Sequence, residues 1–182
     1  RFPGGDKFIL GVLETMPGRP VVFDADALYM LRGAWEAVRN LAGPVLVTPH
    51  PGEMAALLGD GVSARDVERD RIGAAKSFSE TWGFHVLLKG HRTIVAEPGG
   101  AIWINPIGSD ALGKGGSGDV LAGLIAALLA QGAAPAAALG AAAWIHAAAG
   151  ERKARELSRR GVTPLDLVDG IKRVLAEMDF SA

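Results

Sequence analysis

Short apolar runs alternate with helix-like stretches along most of the chain. Val21-Val22-Phe23, Val45-Leu46-Val47 and Phe84 to Leu88 are unbroken apolar runs of strand length, the pattern of strands buried on both faces. A helix is predicted from Ala25 to about Leu41, and Gly43-Pro44 then punctuates the chain before the second strand. Pro51 suits a first helical turn, where its missing N–H leaves no bond unmade, so a short helix reaching Leu58 follows. Ser63 and Asp66 have capping-box spacing before a longer helix that ends near Thr81. Thr93 to Ala96 and Ala101 to Ile104 flank Pro98-Gly99-Gly100 and read as a hairpin. The glycine-rich stretch 108–118 feeds a helix that starts at Asp119 or just before it and reaches about Ala130. An alanine-rich helix from Ala136 to Leu157 comes next, and Thr163-Pro164-Leu165-Asp166 opens a last one. Strands separated by helices imply α/β architecture with a parallel sheet, and such sheets bind ligands outside the carboxyl ends of their strands.

Composition narrows the field. With 182 residues, 49% hydrophobic and 21% charged, the chain suits one domain with a sizeable core and excludes disorder and collagen-like structure. A formal net charge of -1 gives no general electrostatic reason to bind nucleic acid or an anionic membrane. The absence of cysteine removes disulfides, thiolate catalysis and cysteine-ligated zinc. The longest apolar region is broken by Gly, Gln and Pro, and no stretch of signal-peptide type follows Arg1, so a soluble, cytoplasmic protein is expected. Because the chain opens at Arg1 without an initiating methionine, processing, an artificial boundary or an incomplete chain is expected there.

Candidate chemistry lies where the pattern puts strand ends and helix starts. Gly115-Gly116-Ser117-Gly118 runs directly into an apolar helix, so its backbone N–H groups can face an anion at a helix N-terminus. Asp119 sits at that helix start and can take a proton from a hydroxyl group; the same residues also serve as a plain helix cap. The segment is neither a Walker A loop nor a Rossmann glycine motif. His50, between Pro49 and Pro51, is either a positioned substrate ligand or part of a rigid turn capped by Glu53. Lys89-Gly90-His91-Arg92-Thr93 joins two strands and is either a phosphate and nucleotide contact or a solvated basic turn. Asp24 and Asp26 can orient a polar ligand or cap the next helix. His146, within an apolar helix, reads as packed or hydrogen-bonded and not catalytic.

Taken in order, Asp24 to Leu28, Thr48 to Glu53, Lys89 to Thr93 and Gly115 to Gly123 resemble the ADP/ATP-dependent NAD(P)H-hydrate dehydratases. Asn105-Pro106, the helix containing His146 and the Thr163 to Leu167 helix start are similar to that family as well. The resemblance implies a ribokinase-like fold with a mostly parallel central sheet flanked by helices and lacking its N-terminal portion, residues 1–182 being the C-terminal major portion of one domain. It implies phosphorylation of the hydroxyl of (6S)-NADHX or (6S)-NADPHX by ADP or ATP with Mg2+, then phosphate elimination to NAD(P)H. By the same resemblance Asp119 is catalytic and binds the hydrate, and His50 binds the hydrate. Lys89, Gly90, His91, Arg92 and Thr93, with Gly118, match nucleotide contacts of the family, and the amide cradle read above adds Gly115, Gly116 and Ser117 to the expected nucleotide contacts. A homo-oligomer and an epimerase domain or partner are also implied. The commoner Gly-Asn-Pro approach to the glycine turn is replaced here by Gly108-Ser109-Asp110. The competing readings are a ribokinase-like kinase for a small alcohol or vitamin precursor, which leaves a stable phosphoester, and a nucleotide-binding fragment without turnover.

Overall fold

Alternation within the apolar runs divides their side chains between two cores. Val45 and Val47, Val86 and Leu88, and Ile94 and Ala96 pack into one buried cluster, whereas Leu46, Leu87 and Val95 point into another. The computed structural model describes residues 2–41 and 43–179. Its five strands, β1 (Val21–Phe23), β2 (Val45–Val47), β3 (His85–Leu88), β4 (Ile94–Ala96) and β5 (Ile102–Ile104), lie in sequence order in one sheet. β1, β2 and β3 pair in parallel, while β3–β4 and β4–β5 are antiparallel, so four of the five strands point the same way.

The first core takes its bulk from the helices that precede β3: α1 (Gly5–Glu14), α2 (Asp26–Met30), α3 (Trp35–Leu41), α4 (Pro51–Leu58), α5 (Ala64–Arg69) and α6 (Arg71–Trp82). Trp35 is its centre, with edge-on contacts to Phe78 and Phe84 at centroid distances of 6.0 and 5.8 Å. The second core lies between the other sheet face and α7 (Ser117–Ala130) and α8 (Pro135–Leu157). Small side chains let α8 approach closely: Ala138, Ala142 and Ala143 are buried against α7 and the sheet. On its far side, Ile145 and Ala149 meet Ile171 and Val174 of α9 (Pro164–Asp179).

Most predicted elements form, with three corrections. The single helix predicted over 25–41 is two, α2 and α3, because Gly33 adopts φ +92° and turns the chain between them. The helix predicted from the Ser63 capping box to Thr81 is also two. Asp70 leaves the helical region and its carboxylate accepts from Gly73 N at 2.8 Å, capping a new helix. Helix α1 has no counterpart in the sequence prediction, since Gly5 and Gly11 lower its helix propensity. The capping boxes at Ser63–Asp66 and Thr163–Asp166 are present as predicted. Among the described residues, no helix is long and apolar enough to cross a membrane.

Leu46 is fully buried at the centre of β2 with its side chain against α7 and α8. Leu46→Ala is expected to lower the free energy of unfolding by about 2–5 kcal/mol, measured by urea denaturation.

Candidate active site

Each parallel strand ends on a polar residue, and the three meet. Asp24 follows β1, Thr48 follows β2 and Lys89 follows β3. The Lys89 ammonium donates to Asp24 Oδ1 at 2.7 Å, and Thr48 Oγ1 donates to the same oxygen at 2.8 Å. A second carboxylate, that of Glu53, stands 3.6 Å from the ammonium. Backbone bonds lock the arrangement: Thr48 N donates to Phe23 O at 3.1 Å and Lys89 N to Pro49 O at 2.8 Å. Parallel pairing puts all three strand ends at one edge of the sheet, which is why residues 65 apart in sequence share one ion pair.

Glu53 and His50 form a reciprocal cap at the start of α4. Glu53 Oε2 accepts from His50 N at 2.7 Å, and His50 Nδ1 accepts from the backbone N–H groups of Gly52 and Glu53 at 3.0 and 3.2 Å. Acceptance at Nδ1 assigns the ring proton to Nε2, which faces Glu53 Oε1 at 3.4 Å. The capped turn read from the sequence is therefore present, and it sets His50 at the rim of the cavity described next.

The glycine turn enters from the opposite side. Gly116 adopts φ +88°, and a Cβ there would stand 2.8 Å from Pro164, so the position demands glycine twice over. At Gly118 a Cβ would lie 3.4 Å from Asp24 Oδ2 and 3.6 Å from Lys89 Nζ, which places the first turn of α7 directly on the ion pair. A cavity of about 600 Å³ opens beside this junction. His50, Lys89, Gly90, His91, Thr93, Ser117 and Gly118 line it, seven of the residues singled out in the sequence. Gly115 and Gly116 form the turn that leads into it, and Arg92 and Asp119 are exposed outside its wall. Thr93 Oγ1 donates to Gly90 O at 3.1 Å, so its hydroxyl also closes the loop on itself.

Two further polar residues line the cavity, His146 and Asn105, to which the sequence reading assigned no role in the site. His146 is buried, with Nε2 3.2 Å from Ser117 Oγ, in accord with its reading as a hydrogen-bonded histidine. Burial pushes its imidazole down to about 4, with a hydrogen bond to Ser117 pulling the other way. It is therefore a neutral ring near pH 7. Asn105 Nδ2 donates to Ala143 O at 3.0 Å, tying the end of β5 to α8. His146 stands out in the sequence as a lone polar residue in an alanine-rich helix. Asn105 carries no comparable local signal, because its bond depends on how α8 crosses the sheet.

A sequence model of NAD(P)H-hydrate dehydratase matches residues 2–173. The chain belongs to the NAD(P)H-hydrate dehydratase family. It is 41% identical to the bifunctional NAD(P)H-hydrate repair enzyme Nnr of Moorella thermoacetica, over 88% of this chain and 30% of that protein. Identity to the ADP-dependent (S)-NAD(P)H-hydrate dehydratase of Neisseria meningitidis serogroup B is 44%, over 79% of this chain and 48% of the relative. The crystal structure of the Bacillus subtilis ADP/ATP-dependent NAD(P)H-hydrate dehydratase, co-crystallized with ATP/Mg2+, superposes with a TM-score of 0.76 at 33% identity. That match covers 87% of this chain and 55% of the Bacillus chain. The chain thus spans about half or less of the length of the curated relatives and just over half of the solved structure. The superposition bears out the ribokinase-like fold that the order of motifs implies.

A neutral His146 in this family member has a pH consequence. The unfolded imidazole takes up its proton near pH 6.5, whereas the folded one resists until about 4. The unfolded state therefore binds more protons between those values. Stability from this residue is present above pH 6.5 and is lost as pH falls toward 4. His146→Gln is expected to flatten the pH dependence of the unfolding free energy across that window, measured by urea denaturation at pH 7 and pH 4.5.

Proposed function

We propose that the chain carries the dehydration step of nicotinamide repair: ADP- or ATP-driven conversion of (6S)-NADHX and (6S)-NADPHX to NADH and NADPH. The supporting observation is the seating of the first turn of α7 on the Asp24–Lys89 pair beside the cavity, with Asp119 one residue beyond Gly118. Names of the Neisseria and Bacillus relatives, with their ADP and ADP/ATP dependence, supply the substrate and the donors.

In this reading the nucleotide lies in the cavity. Its terminal phosphate faces the amides of Gly115, Gly116, Ser117 and Gly118, and Lys89, Gly90, His91, Arg92 and Thr93 contact the rest of the nucleotide. A helix N-terminus holds phosphate through unpaired N–H groups and its partial positive charge. The hydrate binds on the side of Asp119, with His50 as a further contact. Asp119 takes the proton of the added hydroxyl, the hydroxyl oxygen bonds to the terminal phosphorus, and the phosphoanhydride bond breaks to release AMP from ADP or ADP from ATP. The phosphate then leaves with the carbon–oxygen bonding pair, a proton passes from the neighbouring ring carbon to solvent, and the carbon–hydrogen pair left behind restores the double bond. Hydroxide is a poor leaving group and phosphate a far better one, which is the reason to spend a nucleotide on removing water.

Magnesium fits this site as a companion of the nucleotide. Among the described residues no group of three or more His, Asp or Glu side chains is placed to cage an ion, and Mg2+ commonly takes one or two carboxylates plus phosphate oxygens. The nucleotide's own phosphate oxygens would hold the ion, which would supply neutralisation of phosphate charge. The same proposal takes residues 1–182 as the C-terminal major portion of one dehydratase domain acting in the cytoplasm. An epimerase in the same polypeptide or beside it is in keeping with the bifunctional Moorella relative. A homo-oligomer suits the exposed Phe8 and Val12 of α1 and Leu165 and Val168 of α9.

With NAD(P)HX and either donor, the wild-type protein is expected to restore reduced-nicotinamide absorbance, and Asp119→Asn to slow this about 100- to 10,000-fold with the fold intact. Near-normal turnover by Asp119→Asn removes Asp119 from the role of base. A stable phosphoester that accumulates without recovered absorbance replaces the dehydratase by a small-alcohol kinase.

A further inference from the structure

Arg71 occupies the first position of α6, where the helix dipole disfavours a cation, and its side chain is only 13% exposed. Its nearest carboxylate oxygen, on Glu68, is 3.9 Å away, too far for a hydrogen bond. The guanidinium is directed instead at main-chain carbonyls at the end of β3 and in the loop after it. Nη2 donates to Leu88 O at 3.2 Å and to Lys89 O at 3.3 Å, and Nη1 donates to His91 O. Three carbonyls from a stretch of four residues converge on one planar fork, a task that suits guanidinium and not a point charge.

The clamped backbone is irregular. Gly90 adopts φ +142° and Arg92 φ +54°, so neither regular strand nor helix bonding holds the segment in shape. Gly90 also makes room for the clamp, since a Cβ there would come within 2.8 Å of Arg71 Nη2. Lys89, Gly90, His91 and Thr93 form one wall of the cavity, whereas Arg71 is outside its lining.

We propose that Arg71 is a positioning residue that holds the Lys89–Thr93 loop in the shape that receives the nucleoside di- or triphosphate, an inference that rests on the function proposed above. Arg71 touches no reacting atom in this account. It acts by ordering the loop before the nucleotide arrives, so that binding does not have to bear the cost of fixing it. Its loss therefore falls on donor affinity and spares the chemical step.

The test is calorimetric titration of ADP into the wild-type protein, Arg71→Lys and Arg71→Gln, with steady-state kinetics on NAD(P)HX. Both variants are expected to bind ADP about 10- to 100-fold more weakly. The kcat at saturating donor and the KM for the hydrate are expected to stay within about threefold of wild type. Arg71→Lys keeps the charge but not the fork, so wild-type ADP affinity in that variant overturns the inference. Losses spread equally over kcat and both KM values also overturn it, because a general structural defect moves all three. Should neither Arg71 variant fold, backbone order parameters of the free wild-type protein decide: the Lys89–Thr93 loop is expected to be as rigid as β3 before ADP is added, and a loop that becomes rigid only with ADP refutes the clamp. Failure of the wild-type protein itself to bind ADP withdraws the proposed function, and this inference with it, before any substitution is compared.

Discussion

The Lys89 ammonium, 2.7 Å from Asp24 and 3.6 Å from Glu53, fixes how the ends of β1, β2 and β3 meet the start of α7. Its surroundings are largely shielded: the side chains of Lys89, Asp24 and Glu53 are 22%, 13% and 7% exposed. Two carboxylates against one ammonium leave the cluster formally negative, so the cation cannot by itself make an anion site. The helix N-terminus supplies the missing positive potential, and Gly118 lets it reach the pair. Ammonium has three donors, of which one is committed to Asp24 at hydrogen-bond distance, and this leaves capacity for a ligand oxygen. The interaction matters here for register more than for energy. It defines where strand ends, helix start and cavity stand relative to one another.

Rigid layers behind the cluster make that definition hold. Strand β2 is buried on both faces, so a one-residue slip would carry Leu46 into the aromatic core and Val45 and Val47 toward α8. Trp35, Phe78 and Phe84 fill one face, and alanines on α8 bring a helix close to the other. Side chains at the strand ends inherit this precision, while the loops that surround them depend on single devices. The His50–Glu53 cap orders one loop, Thr93 and Arg71 order another, and Gly116 against Pro164 orders the third.

Much of this was legible in the chain itself. Apolar runs of strand length located β1, β2 and β3, and the two capping boxes marked helix starts because their chemistry is local. The order of the polar motifs carried the family, and the parallel sheet explains why motifs so far apart in sequence lie together. What escaped had non-local causes. Asp70 interrupts a helical pattern only because its carboxylate can cap the next helix, and Gly33 reverses the chain without disturbing the apolar periodicity. Arg71 looks like any charged residue on a helix surface, since its partners are main-chain carbonyls 17 to 20 residues away. Asn105 depends likewise on a carbonyl of α8, 38 residues on. Backbone acceptors leave no trace in side-chain patterns.

The most direct measurement of the account is a titration of the isotopically labelled protein with ADP and Mg2+, followed by amide nuclear magnetic resonance. Saturable shifts concentrated on the N–H signals of Gly115 to Gly118 and on the Lys89 to Thr93 loop are predicted, because those amides and that loop meet the nucleotide. Saturable binding that shifts amides elsewhere and leaves the start of α7 untouched would contradict the claim that this helix end grips the phosphate.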